Sequence, residues 1–259
     1  MKPKILKVGA GAETREIAVL AREGGKPGLV WLGGYRSDMA GTKAEAFDRW
    51  CGENGLAFTR HDYSGHGQSG GQFRDGTISR WLEESLAVLE EYTSGKQILI
   101  GSSMGGWIAL RMAQELQKQG KGNRLHALLL IAPAPDFTQE LFLPRLTDEQ
   151  KEALKRDGYL EEPSEYSDEP NLYTVALVED GRLNAVLDGI IDPGCPVHII
   201  QGMEDPDVPH EHAARLATHL PMSDVAMTYV KDGDHRLSRP QDIEVMLRIA
   251  GLLVAGEQD

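Results

Sequence analysis

The stretch KQILIGSSMGGWIALRMAQELQKQ, residues 96–119, joins an apolar run of strand length to a helix-spaced run through Gly101-Ser102-Ser103-Met104-Gly105-Gly106. Ile98, Leu99 and Ile100 are consecutive apolar residues, so the strand is expected to be covered on both faces. A serine placed between a buried strand and the helix that follows must sit on a tight turn. Gly101 and Gly105 remove side chains that would collide across such a turn, and Gly106 lets the new helix pack closely on the strand.

Outward from this stretch the same rhythm repeats. GLVWLGG (28–34) and LAFTRHDY (56–63) are apolar strand-like runs separated by the helix-spaced AEAFDRWCGEN (44–54), and ISRWLEESLAVLEEY (78–92) reads as an amphipathic helix. HALLLIA (126–132) follows as a further strand. Strands apolar on both faces that alternate with helices predict a doubly wound α/β fold, with a mostly parallel central sheet and helices on each side. At the front, KILKV (4–8) and REIAVLA (15–21) flank GAGAET as an opening hairpin. After Pro133 the rhythm breaks: residues 134–192 bring helical pieces, the loop EEPSEYSDEPN (161–171) and a DGRLN turn (180–184) before CPVHIIQG (195–202) resumes it. The expected organisation is a core of residues 1–133 and 193–259, interrupted by a small helical cap or lid at 134–192. The chain then offers a helix from about Glu211 to His219, a strand VAMTYV (225–230), and a last helix with Ser238 as capping candidate and Pro240 in its first turn.

Composition narrows the function. At 259 residues, 41% hydrophobic and 26% charged, the chain suits one globular core with an insertion. Its net charge of -13 argues against a nucleic-acid partner, which requires a basic stripe. Residues 134–192 alone hold fifteen Asp or Glu against five Lys or Arg, which reads as a solvated acidic face. Cys51 and Cys195 form no disulfide framework and read as inert core thiols. With no secretory h-region and no apolar run near eighteen residues, the protein is expected to be cytoplasmic and without a membrane span. Nothing in the sequence speaks to oligomeric state.

The pattern G-x-S-x-G occurs twice, at 101–105 and as Gly67-Gln68-Ser69-Gly70-Gly71, so context must choose between them. Ser103 has a strand before it and a helix after it, as a nucleophile elbow demands; Ser69 lies in a glycine-rich loop. A serine hydroxyl needs a base to take its proton. Among eight histidines, His235 stands in the short loop KDGDHRLS between the strand VAMTYV and the final helix, in the chain order Ser, Asp, His. The others end or lie within strands and helices, and His66 in YSGHGQS reads as a structural loop residue. The carboxylate that orients the imidazole should come from the loop after VHIIQG, where Glu204, Asp205 and Asp207 all compete. The developing oxyanion needs two backbone donors: Met104, next after the serine at a helix N-terminus, and one from the loop after GLVWLGG, where Tyr35 is the candidate.

These motifs together resemble the α/β-hydrolase superfamily. LGGY resembles its oxyanion loop, DYSGHGQS the loop after the next strand, GSSMGG its elbow, and GMEDPDVP and GDHRLS its acid and base loops. FTQELF, PSEYSDE, VEDGR and CPVHIIQGMEDPDVP within and after the insertion resemble the mitochondrial group of acyl-glucuronide esterases and palmitoyl-protein thioesterases. The resemblance implies a serine hydrolase that cleaves esters or thioesters of small-molecule or acylated substrates, with a triad on Ser103, Asp205 and His235 and no metal or organic cofactor. An Asp nucleophile, as in epoxide and haloalkane hydrolases, is argued against by Ser103. Amidase, peptidase or carbon–carbon hydrolase chemistry, or a non-catalytic binding role, would use the same fold.

Overall fold

In a computed structural model, residues 2–164, 170–221 and 224–256 are described. Their centre is an eight-stranded sheet in the order β1-β2-β4-β3-β5-β6-β9-β10. β1 (Lys4–Val8) and β2 (Arg15–Arg22) form the expected antiparallel hairpin, and β2 continues antiparallel onto β4 (Leu56–His61). From there β3 (Gly25–Leu32), β5 (Gln97–Ser102), β6 (Leu125–Ile131), β9 (Val197–Gly202) and β10 (Val225–Val230) run parallel to one another and to β4.

Two apolar layers cover the sheet. On one face α1 (Thr42–Glu53) and α7 (Pro240–Ala255) bring Phe47, Cys51, Met246 and Ile249 against Leu29, Ile98, Ile100 and Leu129. On the other, α2 (Ile78–Tyr92), α3 (Met104–Lys118) and α6 (His210–His219) bring Trp81, Trp107, Ile108 and Leu216 against Val30, Leu99 and Leu128. Alternate side chains of each strand therefore enter different layers, which is why these strands read as unbroken apolar runs. Burying a side chain the size of Leu99 or Ile100 stabilises the fold by roughly 1.5–3 kcal/mol.

The strand order places the site. β3 leads through α1 to β4 on one side, while β5 enters on the other, so the carboxyl ends of β3 and β5 lie side by side where the winding reverses. Such switch points open a crevice above the sheet. The Ser103 and Tyr35 loops both emerge there.

Between β6 and β9 the chain adds α4 (Asp148–Asp157), a hairpin of β7 (Tyr159–Glu162) and β8 (Asn171–Thr174), and α5 (Val175–Leu183). Three sequence expectations change here and at the last helix. The hairpin was read as helix and loop, because YLEE and NLYT carry no clean alternation; its pairing sets Leu160 opposite Tyr173, and residues 165–169 of the expected loop lie outside the described residues. The DGRLN turn is the end of α5, capped at Asn184. The last helix is capped by Arg239, whose backbone N–H is bonded by Asp242 Oδ2 at 3.1 Å, while Ser238 Oγ donates to the Arg236 carbonyl instead.

Buried polar contacts seat this segment on the core. Trp107 Nε1 donates to the Asn184 carbonyl at 3.0 Å. Asp136, buried and at φ 54°, accepts the amides of Val186 at 2.9 Å and Leu187 at 2.8 Å, so the start of the segment grips its end. Burial pushes the Asp136 carboxyl up, and these amide bonds oppose that shift.

Candidate active site

Ser103 sits between β5 and α3 at φ 54° and ψ -119°, a backbone conformation that a non-glycine residue adopts only under constraint. The surrounding glycines show what imposes it. A Cβ on Gly105 would lie 2.1 Å from the Leu32 carbonyl oxygen, one on Gly101 would lie 2.4 Å from the Gly105 oxygen, and one on Gly106 would meet Pro133 at 2.8 Å. Strand, turn and helix are packed closer than any side chain allows, and the serine is held above the sheet.

His235, in the loop after β10, accepts or donates through Nε2 to Ser103 Oγ at 3.0 Å, and its Nδ1 lies 2.8 Å from Asp205 Oδ2. With Asp205 ionised, Nδ1 carries the proton and Nε2 is left as the acceptor for the serine O–H. Among the three competing acids, only Asp205 reaches the imidazole in this way. Its other oxygen accepts the amides of Asp207 at 2.9 Å and Val208 at 2.8 Å, and Gln201 Nε2 donates to Oδ2 at 3.1 Å. Glu204 is exposed, and Asp207 lines the cavity beside Ser103. Gln201 was missed in the sequence; a polar residue closing the apolar run VHII was the available signal, and in the structure its buried Nε2 is the bonded end of the amide.

The Tyr35 loop approaches the serine closely. A Cβ on Gly34 would lie 3.3 Å from Ser103 Cβ, so the peptide linking Gly34 to Tyr35 runs beside the nucleophile candidate. Met104 opens α3, and the first N–H groups of a helix have no intrahelical acceptor. Two core side chains hold the Tyr35 loop from below: Tyr63 O–H donates to the Gly33 carbonyl at 3.2 Å, and the Arg36 amide donates to His66 Nε2 at 3.3 Å. Burial lowers His66 to about 4, which keeps the ring neutral and able to accept that bond. His66 is thus a structural residue of the site's frame.

A cavity of about 140 Å³ opens above Ser103, lined mainly by Tyr35, Phe137, Leu141, Phe142, Tyr173 and Val208. Across the serine a second, more polar recess of about 310 Å³ is bordered by Trp31, Arg36, Lys43 and Arg236. Burial, with Arg236 adding to it, lowers the Lys43 ammonium to about 8. Asp205, Asp207 and His235 offer ligand atoms within 4.8 Å of one another, a spacing a cation could use. All four lone-pair directions of the Asp205 carboxylate already take N–H donors, so a metal would have to displace one. Burial pushes both thiols, Cys51 and Cys195, to about 12, where neither is a thiolate. No helix among the described residues is long and apolar enough to cross a membrane.

The fold and the arrangement around Ser103 are those of a class, and comparison identifies it: residues 27–244 match the Alpha/beta hydrolase family, and the chain belongs to that family. It is 33% identical over 239 residues to the mouse protein named palmitoyl-protein thioesterase ABHD10, mitochondrial, covering 91% of this chain and 78% of that one. The human protein of the same name is 32% identical over 227 residues, covering 87% and 72%. The solved structure of mouse alpha/beta hydrolase domain-containing protein 10 superposes with a TM-score of 0.86 at 30% identity, over 97% of each chain. A crystal structure from Agrobacterium vitis S4 superposes with a TM-score of 0.95 at 55% identity, over 98% of each chain. The expectation of a cytoplasmic protein is overturned by these relatives, which are named as mitochondrial. Compartment is written in targeting segments read by receptors, and a folded core carries no such address.

Proposed function

We propose that this chain hydrolyses carboxylic esters and thioesters of acyl substrates by two-step acyl transfer on Ser103. Ser103 Oγ attacks the acyl carbonyl while His235 Nε2 takes its proton; His235 returns the proton to the departing alkoxide or thiolate, and water, activated by the same imidazole, releases the acyl group. Asp205 fixes the tautomer of His235 and stabilises the imidazolium. The Met104 and Tyr35 amides stabilise the oxyanion. The described residues of 134–192 form a cap over the site, and the cavity bordered by Phe137, Phe142 and Tyr173 receives the acyl chain.

The observation that carries this reading is the continuous Asp205–His235–Ser103 hydrogen-bond chain, ending on a serine at a strained strand-to-helix turn. The thioesterase named among the relatives supports ester and thioester chemistry over the amide, peptide and carbon–carbon alternatives. The test is turnover of p-nitrophenyl esters and acyl thioesters of graded chain length by the wild type and by Ser103→Ala. Wild-type turnover abolished by the substitution supports the reading, and a wild type inert towards every ester and thioester overturns it.

A further inference from the structure

The Tyr35 side chain does more than line the cavity. Its O–H donates to the Leu172 carbonyl on β8, a bond across 137 positions that joins the loop after β3 to the cap hairpin. Its ring stacks on Tyr173 of the same hairpin, with centroids 5.6 Å apart and planes 7° from parallel, and Tyr173 stacks in turn on Phe142 at 3.9 Å. From the core side, Phe73 meets the ring edge-on at 4.9 Å and Trp81 at 6.0 Å, while Phe137 lies 5.7 Å away. Burial pushes the phenol well above its ordinary value, so the hydroxyl stays a proton donor.

One residue therefore carries a backbone amide beside the reacting serine and a side chain clamped between core and cap. Oxyanion stabilisation depends on donors held in place before the charge develops, and a displacement of about 1 Å can remove on the order of a hundredfold in rate. The core anchors, Tyr63 and His66, fix the loop at Gly33 and Arg36, on either side of Tyr35. Between them the Gly34 carbonyl, which shares a peptide with the Tyr35 amide, accepts the Ser37 N–H at 3.1 Å and the Ser37 hydroxyl at 2.9 Å, and the bond from the Tyr35 hydroxyl to the Leu172 carbonyl adds a tether from the cap side.

We propose that Tyr35 is a positioning residue whose hydroxyl and ring let the cap hairpin set the orientation of its own amide in the oxyanion hole. Cap and catalytic loop then work as one unit, and an acyl chain packed against Phe142 and Tyr173 bears on the stack that ends at Tyr35. This rests on the ester and thioester hydrolase reading above.

The test is Tyr35→Phe, which keeps the ring and deletes the bond to Leu172. We expect kcat on p-nitrophenyl acetate, a substrate too short to fill the acyl cavity, to fall about tenfold with KM little changed. The affinity of a trifluoromethyl ketone, which forms a tetrahedral adduct, should weaken by the same factor, while binding of the planar product acid stays within about twofold. Active sites are counted with a fluorophosphonate, so a fraction of misfolded enzyme cannot mimic a loss of kcat. Should Tyr35→Phe fold poorly, Tyr173→Leu deletes the stack and leaves the hydroxyl bond, and kcat per active site should fall in the same direction. Unchanged kcat and ketone affinity in an active enzyme, or a change confined to KM or to melting temperature, overturns this proposal alone. A wild type that turns over no ester overturns the hydrolase reading and this proposal together.

Discussion

Residues 67–71 and 101–105 share a five-residue pattern and occupy opposite kinds of site. Ser103 Oγ faces an imidazole at 3.0 Å from a backbone held at φ 54°. Ser69 Oγ is used up locally: it accepts the Ala18 amide at 2.8 Å and donates to the Asp62 carbonyl at 2.6 Å, stitching a loop to β2. The glycines differ in the same way. Gly105 is small because two strands and a helix converge on it, whereas Gly67, at φ 44°, is small because the buried Asp62 carboxylate lies 2.2 Å from where its Cβ would be. A pattern of residue types thus acquires chemistry from the elements on either side of it.

The two regions should separate most sharply on losing their hydroxyls. Ser103→Ala is expected to lower kcat by about 10⁴-fold or more. Ser69→Ala should leave kcat within about twofold but lose roughly 1–3 kcal/mol in urea unfolding, because the Ala18 amide is left unpaired; loss of turnover in Ser69→Ala would break the comparison. Next in size, Asp205→Asn should reduce kcat by about 10⁴-fold through the wrong imidazole tautomer. Asp207→Asn should cost less than about tenfold, and the reverse order would reassign the acid.

Acid should weaken the framework. Burial holds His61 and His66 at about 4, below the ordinary 6.5, so between those values the unfolded chain binds more protons than the folded one. The stability each contributes is complete above about pH 6.5 and drains as pH falls towards 4, on the order of 3 kcal/mol per ring. Melting temperature measured across that window should drop steeply, and His66→Gln should flatten the slope. The smallest effect is steric: Gly105→Ala and Gly67→Ala should each lose roughly 1–3 kcal/mol. Only the former should also slow fluorophosphonate labelling per folded molecule.

Much of this was legible because it is local. Ile98 to Ile100 announce a doubly covered strand, and Gly101, Gly105 and Gly106 announce a turn too tight for side chains, so β5, α3 and Ser103 follow from sequence alone. His235, singled out by its place between a strand and the last helix, does lie 3.0 Å from Ser103 Oγ. Spacing could not choose among Glu204, Asp205 and Asp207, because the choice rests on which carboxylate turns inward to meet Gln201 and His235. The β7–β8 hairpin escaped for a related reason: Glu161 and Glu162 hide its alternation, and its stability comes from Tyr173 stacking on Tyr35 and Phe142, residues remote in the chain. Compartment was misjudged because the folded core does not encode it.

The central claim is that Ser103, not Ser69, is the nucleophile. After reaction with a fluorophosphonate and digestion with trypsin, the two serines fall on separate peptides, residues 97–111 and 61–74. The account predicts one adduct per chain, on Ser103 and lost on replacing His235 by Ala; an adduct on the 61–74 peptide, or none on either, would contradict it.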